Sequence, residues 1–161
     1  MIILGIDPGI NGAVALYDTG SNTIVTTGYP HKTEPYKKTT RKIIDGITLH
    51  RYLSAFAIDE VWMEKVNAFG MGRTSAFRFG EANGVAIGVI SALGLSINFV
   101  TPQKWKYHFA LDNDKARSRE LAQQFWPDAA DQFARVKDTD RSEAALIAMY
   151  GALTNGYTTK T

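Results

Sequence analysis

Alternating apolar and polar stretches along the chain predict five strands. The apolar run at 2–7 (IILGID) predicts a buried central strand, and Asp7-Pro8-Gly9 is typical of the turn after it. Residues 13–17 and 23–29 predict two more strands, the first of which returns antiparallel. The last two strands are expected at 60–66 (EVWMEKV) and 95–100 (LSINFV).

Helical spacing of apolar residues fills the intervals between these strands. A polar, basic segment at 30–40 and a glycine-rich stretch at 67–74 are expected to be loops. The predicted helices are 41–56, 75–93, a short one that starts at Thr101-Pro102, 115–125 and 141–153. The last is apolar nearly all round and should be buried. Together the elements predict one α/β domain over 1–161, with a central, mixed five-stranded sheet flanked by helices.

Three glycines recur at every fourth residue of the predicted helix 75–93, namely Gly80, Gly84 and Gly88. Each costs roughly 1 kcal/mol relative to alanine in a helix. A smooth glycine face would offset that cost if it allowed close packing, either on the sheet or against another helix. The sequence leaves these two alternatives open.

The composition fits a folded protein without cysteine chemistry. Of the 161 residues, 45% are hydrophobic and 21% charged, and none is cysteine, which excludes disulfides, thiolate metal sites and cysteine nucleophiles. The first residues lack the pattern of a signal peptide, and no apolar run reaches the roughly 20 residues that span a bilayer. We therefore expect a cytoplasmic location, including the cytoplasm of an infected cell, and no membrane partner.

The net charge of +2 is weak evidence for a nucleic-acid partner, but the basic residues are clustered. Each cluster alone also fits an ordinary solvated surface. The clusters are Lys37, Lys38, Arg41 and Lys42; Lys104 and Lys106; and Lys115, Arg117 and Arg119.

Four carboxylates are candidates for chemistry, and each also has a structural interpretation. Asp7 ends the first strand, where it could simply open a turn, and Glu64 lies near the end of the fourth, where it could be an exposed charge. Asp140 and Glu143 open the last helix and fit a capping box, yet their i,i+3 spacing also places both on one helix face. Asp138 could substitute for Asp140.

If these carboxylates converge, they would repel one another unless cations lie among them. Hard oxygen ligands favour Mg²⁺ or Mn²⁺. Two such ions can activate water and stabilise the leaving oxygen in phosphodiester cleavage. The carboxylates therefore indicate a metal-dependent nuclease without a small-molecule cofactor.

Four segments, in order, resemble the RuvC family of Holliday junction resolvases. The first is Gly5-Ile6-Asp7-Pro8-Gly9. The second is Met63-Glu64-Lys65-Val66 together with the run 75–86 (SAFRFGEANGVA). The third is Thr101-Pro102-Gln103-Lys104-Trp105-Lys106 together with Lys115. The fourth is 140–146, DRSEAAL. The resemblance covers most of the chain. It departs at Glu143, where bacterial members usually carry Asp, and in the middle loop, which is about one residue longer here.

This resemblance implies a ribonuclease H-like fold and a homodimer that cuts two opposed strands of a four-way junction. It makes Asp7, Glu64, Asp140 and Glu143 the catalytic, metal-binding set, with two ions of Mg²⁺ or Mn²⁺ per site. Small size and divergence from bacterial members suggest a bacteriophage or prophage variant. The side chains expected to contact DNA are Phe69, Met71, Arg73, Arg78, Lys104, Lys106, Lys115 and Arg117. Among them Phe69 or Met71 could wedge between unstacked bases, the alternative for Phe69 being core packing.

Other functions fit less well. Sugar kinases and actin-like ATPases also begin with an Asp-x-Gly phosphate turn, but they need two lobes and this chain is short for that. A catalytically silent junction-binding protein would gain nothing from four negative charges near phosphates. A broader nuclease that cuts flaps or forks is not separated from a junction resolvase by the sequence.

Overall fold

A mixed five-stranded sheet forms the centre of the computed structural model, which describes residues 1–112 and 115–157, with Lys115 as backbone only. Its strands are β1 Ile2–Asp7, β2 Ala13–Asp18, β3 Thr23–Gly28, β6 Glu60–Glu64 and β7 Ile97–Val100. They lie in the order β3-β2-β1-β6-β7, with β1 antiparallel to β2 and parallel to β6. The predicted mixed sheet is confirmed, because each predicted strand overlaps one of these.

Helices cover both faces of the sheet, as predicted. The helices are α1 Gly46–Leu53, α2 Arg73–Ala92, α3 Pro102–His108, α4 Lys115–Phe125 and α5 Thr139–Thr154. Alternate residues of β1 and β2 point to opposite faces, so that Leu4 and Val14 pack with α1 and α2 while Ile3 and Ala13 pack with α5. The α5 helix is buried over most of its length, as its apolar sequence requires.

The segment 30–45 differs from the prediction of a loop followed by a helix from residue 41. It forms a β-hairpin in which β4 (His31–Tyr36) pairs antiparallel with β5 (Thr39–Ile44) as a separate two-stranded sheet. Threonine and isoleucine in β5 favour an extended chain. The helix begins only at Gly46, because Asp45 caps it by accepting a hydrogen bond from the Thr48 amide at 3.2 Å.

The stretch between α4 and α5 also escaped prediction. Two 3₁₀ helices, Pro127–Phe133 and Val136–Asp138, fill it and carry the chain under the sheet edge at β3. In this region Gln132 Oε1 accepts hydrogen bonds from the Thr26 amide and hydroxyl. Such irregular turns leave no periodic pattern in a sequence.

The glycine face of α2 does not pack on the sheet. A Cβ placed on Gly80, Gly84 or Gly88 would meet no heavy atom of the described residues within 4 Å. The alternative that these glycines pack on the sheet is therefore wrong, and their contact with another helix stays a prediction.

In the described part of the chain, no helix combines the length and apolarity needed to cross a membrane.

Candidate active site

Two of the candidate carboxylates lie at the same edge of the sheet. Asp7 ends β1 and Glu64 ends β6, and these strands run parallel with Ile6 opposite Met63. The next position on each strand therefore brings Asp7 beside Glu64. This is the edge at which active sites commonly form in sheets of this kind, because the loops that follow the strands meet there.

The other two carboxylates reach this edge through α5. The helix lies directly on β1, and the contact depends on Gly5: a Cβ there would lie 2.6 Å from the Ala148 amide nitrogen and 2.9 Å from its Cβ. Any larger residue would push α5 outward, and Asp140 and Glu143 with it. Gly5 therefore positions the site, a role for which the sequence offered only a glycine inside an apolar strand.

Asp7, Asp140 and Glu143 form a compact carboxylate cluster. One oxygen from each lies within 4.8 Å of the other two, and Asp7 and Glu143 are each only 8% exposed. Charges of one sign at this distance, shielded from water, repel strongly. Buried charges of this kind are normally paired or bound to metal, so the donor set fits a divalent cation held by oxygen ligands.

Glu64 lies beside this cluster, although among the described residues it is not within the 4.8 Å group. Its Oε2 accepts a hydrogen bond of 2.8 Å from Nε1 of Trp105, which is completely buried on α3. Burial raises the pKa of Glu64, and the negative charge of Glu143 adds to this, while Trp105 and Lys106 act in the opposite direction. Sequence analysis missed the role of Trp105, since a tryptophan on a short helix usually indicates core packing.

Glu64→Gln should stabilise the protein when metal is absent. A raised pKa means that the charged form of Glu64 is disfavoured in the folded state. Glu64 therefore lowers the free energy of unfolding once the pH rises above the ordinary pKa of a glutamate. The amide keeps an acceptor for Trp105 and removes the charge, and we expect a gain on the order of 1 kcal/mol, or roughly 2–4 °C in Tm. Thermal melts in EDTA at pH 7 measure this, and a lower Tm for the variant would contradict it.

Lys106 belongs to the carboxylate site as well as to the predicted DNA surface. Its Nζ lies 3.3 Å from Oε1 of Glu143 and 5.3 Å from the centroid of the Trp105 ring. Even so, Glu143 Oε1 is buried and makes no hydrogen bond to any described residue. Lys106 therefore offsets negative charge on the Glu143 side of the cluster.

The capping-box interpretation of Asp140 and Glu143 is wrong. The α5 helix begins at Thr139 and its N-cap is Asp138, so Asp140 lies inside the first turn.

Asp138 is also not a substitute for Asp140. It is 2% exposed and accepts hydrogen bonds from Nε and the amide of Arg135 at 2.9 and 3.0 Å, outside the carboxylate cluster.

The Asp138–Arg135 contact should make stability depend on pH in acid. Hydrogen bonds from Arg135 hold the pKa of Asp138 below its usual range. The ionised carboxylate therefore stabilises the fold fully above the pKa of an unfolded aspartate, about 4. This stabilisation is lost as pH falls through the lower pKa of the folded state. We therefore expect the stability difference between wild type and Asp138→Asn to shrink below about pH 4. Urea unfolding at pH 7, 4 and 2.5 would show it, and a constant difference would contradict it.

Tyr29 is a second residue at the site that sequence analysis missed. It follows β3, is 4% exposed, and its hydroxyl has no hydrogen-bond partner among the described residues. Burial raises its pKa, and the negative charge of Asp7 raises it further. The ring packs against Gly12, in the turn that carries Asp7, and so Tyr29 supports that turn.

The predicted wedge residues lie on the loop between β6 and α2. Phe69 is 93% exposed, which contradicts core packing, and Met71 is 42% exposed. A cleft of about 510 Å³ runs beside this loop, and Glu64, Met71 and Phe79 are among its lining residues. The exposed apolar loop thus borders the carboxylate site.

The remaining residues predicted to bind DNA are spread over three helices. Arg73 begins α2, and Arg78 lies on the same helix, 5.3 Å from the centroid of Tyr36 on the β4–β5 hairpin. Lys104 is exposed on α3. On α4, Arg117 pairs with Asp112 at 2.9 Å, and the side chain of Lys115 lies outside the described part of the chain. Of this predicted set, Lys106 is the one that contacts a site carboxylate through a described ion pair.

Comparison with solved structures supports the fold. The chain is similar to Thermus thermophilus RuvC in complex with Holliday junction substrate, with a TM-score of 0.63, 16% identity, and coverage of 99% of this chain and 98% of that one. It is also similar to the fowlpox virus Holliday junction resolvase, with a TM-score of 0.55, 19% identity, and coverage of 96% and 99%. No family model and no curated protein sequence matches. At these identities the likeness establishes the ribonuclease H-like fold expected from the sequence.

Proposed function

We propose that this chain is a divalent-metal-dependent, structure-selective DNA endonuclease that resolves Holliday junctions by paired phosphodiester cuts. The observation that carries the proposal is the cluster of Asp7, Asp140 and Glu143 with Glu64 beside it at one sheet edge. The solved structures with this fold support it, since two of them are resolvases bound to junction DNA. We take residues 1–161 as a single nuclease domain acting in a cytoplasm, including that of a cell infected by a bacteriophage.

The residues present fit a metal centre. Asp7, Glu64, Asp140 and Glu143 offer oxygen ligands alone, and Oε1 of Glu143 is buried, ion-paired with Lys106, and without a hydrogen bond to a described residue. Two ions of Mg²⁺ or Mn²⁺ bound there would supply an activated water and charge stabilisation of the leaving oxygen.

The protein's own contribution is to hold these carboxylates in place. Trp105 holds Oε2 of Glu64 by a hydrogen bond of 2.8 Å and so limits the rotation of that carboxylate. Lys106 offsets part of the negative charge near Glu143 and can contact a phosphate that enters the site. Burial of Asp7 and Glu143 limits water around the charges and so strengthens their hold on a cation.

DNA would lie across the exposed surfaces that surround this site. Phe69 or Met71 would insert between unstacked bases at the branch point, since both are apolar, exposed and on the loop that follows β6. Met71 also lines the same cleft as Glu64. Contacts of the basic side chains with phosphates would give affinity without sequence specificity. These side chains are Arg73, Arg78, Lys104, Lys106, Lys115 and Arg117.

Paired cuts require two active sites, so the proposal includes a homodimer with one site for each of two equivalent strands. The open glycine face of α2 is a candidate interface, because Gly80, Gly84 and Gly88 meet nothing within the described chain. Multi-angle light scattering of the protein, free and on a junction, measures the assembly. A strict monomer in both states would favour a nuclease that makes single cuts in branched DNA.

The deciding experiment is a cleavage assay on a four-way junction, a flap, a fork and linear duplex, each with Mg²⁺, Mn²⁺ or EDTA. The proposal expects symmetrical paired nicks on the junction and none in EDTA. Equal cutting of flaps and forks would support the broader branched-DNA nuclease instead. Binding without cutting under every condition would support a silent junction-binding protein.

A further inference from the structure

A concentration of positive charge distinguishes the β4–β5 hairpin from the rest of the molecule. Residues 31–45 contain five Lys or Arg and two Asp or Glu, a net charge of +3, whereas the whole chain carries +2, so everything outside the hairpin sums to −1. One of the two acidic groups, Glu34, is paired with Arg41, and the other, Asp45, caps α1. Glu81 of α2 also pairs with Arg41, so three carboxylates face five cations and a net charge of +2 remains.

The hairpin is fixed beside the carboxylate site. Lys42 Nζ donates a hydrogen bond of 2.8 Å to Asn11 Oδ1, in the turn that follows Asp7. On the other side, both terminal nitrogens of Arg41 bond Glu81 of α2, at 2.8 and 3.0 Å. A bidentate contact of this kind sets orientation as well as distance. The hairpin is thus held between the Asp7 turn and α2.

Three cations surround the ring of Tyr36. The charged groups of Lys37, Arg41 and Arg78 lie 5.6, 5.2 and 5.3 Å from its centroid. Arg41 is neutralised by glutamates, but among the described residues no carboxylate lies within 4.0 Å of the charge on Lys37 or Arg78. Like charges gathered at one ring repel each other, and a bound anion would relieve that repulsion.

The turn of the hairpin adds an independent observation. Tyr36 pairs with Thr39, so Lys37 and Lys38 form a two-residue turn, and Lys37 has a φ of +54°. Hairpin turns with positive φ strongly favour glycine or asparagine, because a larger side chain is strained there. Lysine is therefore unfavourable for the backbone conformation of this turn. Residues that are locally unfavourable in this way are commonly found at functional sites.

We propose that the β4–β5 hairpin is a second nucleic-acid contact, which holds the phosphate backbone of a duplex arm beside the cleaved bond through Lys37, Lys38 and Arg78. This rests on the proposed function for its substrate and extends the contact surface to a segment outside the loop between β6 and α2. Phosphate is the anion that suits it, since its charges repeat along a backbone and fit cations spread over a hairpin tip and a helix. An alternative role for the lysines is to keep an exposed sheet edge from pairing with another chain.

Lys37→Asn separates binding from folding. Asparagine tolerates positive φ, so Tm should stay unchanged or rise, while the loss of one phosphate contact should flatten the log–log salt dependence of DNA affinity by about 0.9. Lys38→Ala should act similarly, and the double variant should flatten the slope by about 1.8 and bind at least roughly tenfold more weakly at 0.1 M salt. The matched control is Arg51→Gln, which removes one exposed positive charge from α1 and should leave the slope unchanged.

Affinity is measured for a four-way junction and a linear duplex by fluorescence anisotropy from 50 to 300 mM salt, with EDTA present so that cleavage does not enter. A double variant with the wild-type slope overturns the hairpin contact but leaves the proposed nuclease function standing. A double variant that keeps the wild-type slope but newly self-associates in light scattering would show instead that the lysines keep the exposed sheet edge from pairing with another chain. Junction binding that weakens as expected in a protein that never cuts would retain the hairpin contact and reject the nuclease. Absence of any DNA binding by the wild type would overturn both.

Discussion

Asp7→Asn is expected to abolish DNA cleavage and leave junction binding intact. Asp7 ends β1 within the carboxylate cluster, so the amide removes a charged ligand without touching a basic residue. Metal ions contribute several kcal/mol to such reactions and about 1.4 kcal/mol is a factor of ten, so the rate should fall at least about 1,000-fold. Single-turnover cleavage with Mg²⁺ and with Mn²⁺ measures it, beside junction affinity in EDTA.

Stability distinguishes a lost ligand from a damaged fold in this variant. The wild type should gain Tm when Mn²⁺ is added, because an ion that binds only the folded state stabilises it. Asp7→Asn should lose this gain, while a single cooperative melting transition in EDTA would show that its fold is retained. The matched control is Asp131→Asn. Asp131 is an exposed aspartate in the 3₁₀ helix Pro127–Phe133, outside the carboxylate cluster, so this variant should behave as wild type. Substantial cleavage by purified Asp7→Asn would exclude Asp7 as a metal ligand.

Glu143→Gln is expected to have the second-largest effect on cleavage, again without loss of the helix. Its carboxylate is 8% exposed, faces Asp7 and Asp140, and lies 3.3 Å from Lys106 Nζ. The amide is nearly isosteric but cannot bind a divalent cation as a charged ligand, so we expect a loss of at least about 100-fold. The response of Tm to Mn²⁺ should weaken in parallel.

Asp138→Asn provides the opposite outcome, because Asp138 supports the start of α5 without belonging to the cluster. Loss of its charged hydrogen bonds with Arg135 should cost about 1–2 kcal/mol of stability, while cleavage per folded molecule and the response to Mn²⁺ persist. Circular dichroism melts and cleavage rates of both variants decide between the roles. A Glu143→Gln variant that cuts normally but melts earlier would mean that Glu143 serves the helix alone.

Much of the sheet could be predicted because its strands carry strong local signals. The runs 2–7 and 13–17 are almost continuously apolar, and the sheet buries them on both faces, while β6 alternates buried Val61 and Met63 with half-buried residues. The hairpin could not be predicted in the same way. Its residues are polar and exposed over most of β4 and β5, so no burial periodicity marks them, and Ile43 and Ile44 fit a helical pattern equally well.

The sequence by itself determined which carboxylates were candidates, since Asp7 and Glu64 end apolar strands and Asp140 and Glu143 share one helix face. Tertiary structure alone decided which of them meet. The parallel pairing of β1 with β6 brings Asp7 beside Glu64, and the close approach of α5 at Gly5 brings Asp140 and Glu143 into the group while Asp138 turns to Arg135. The same is true of Trp105 and Lys106, whose contacts with Glu64 and Glu143 link α3 to β6 and α5. The physical reason is that helix and strand preferences act between near neighbours in the chain, whereas convergence depends on strand order and on how closely a helix can approach a sheet.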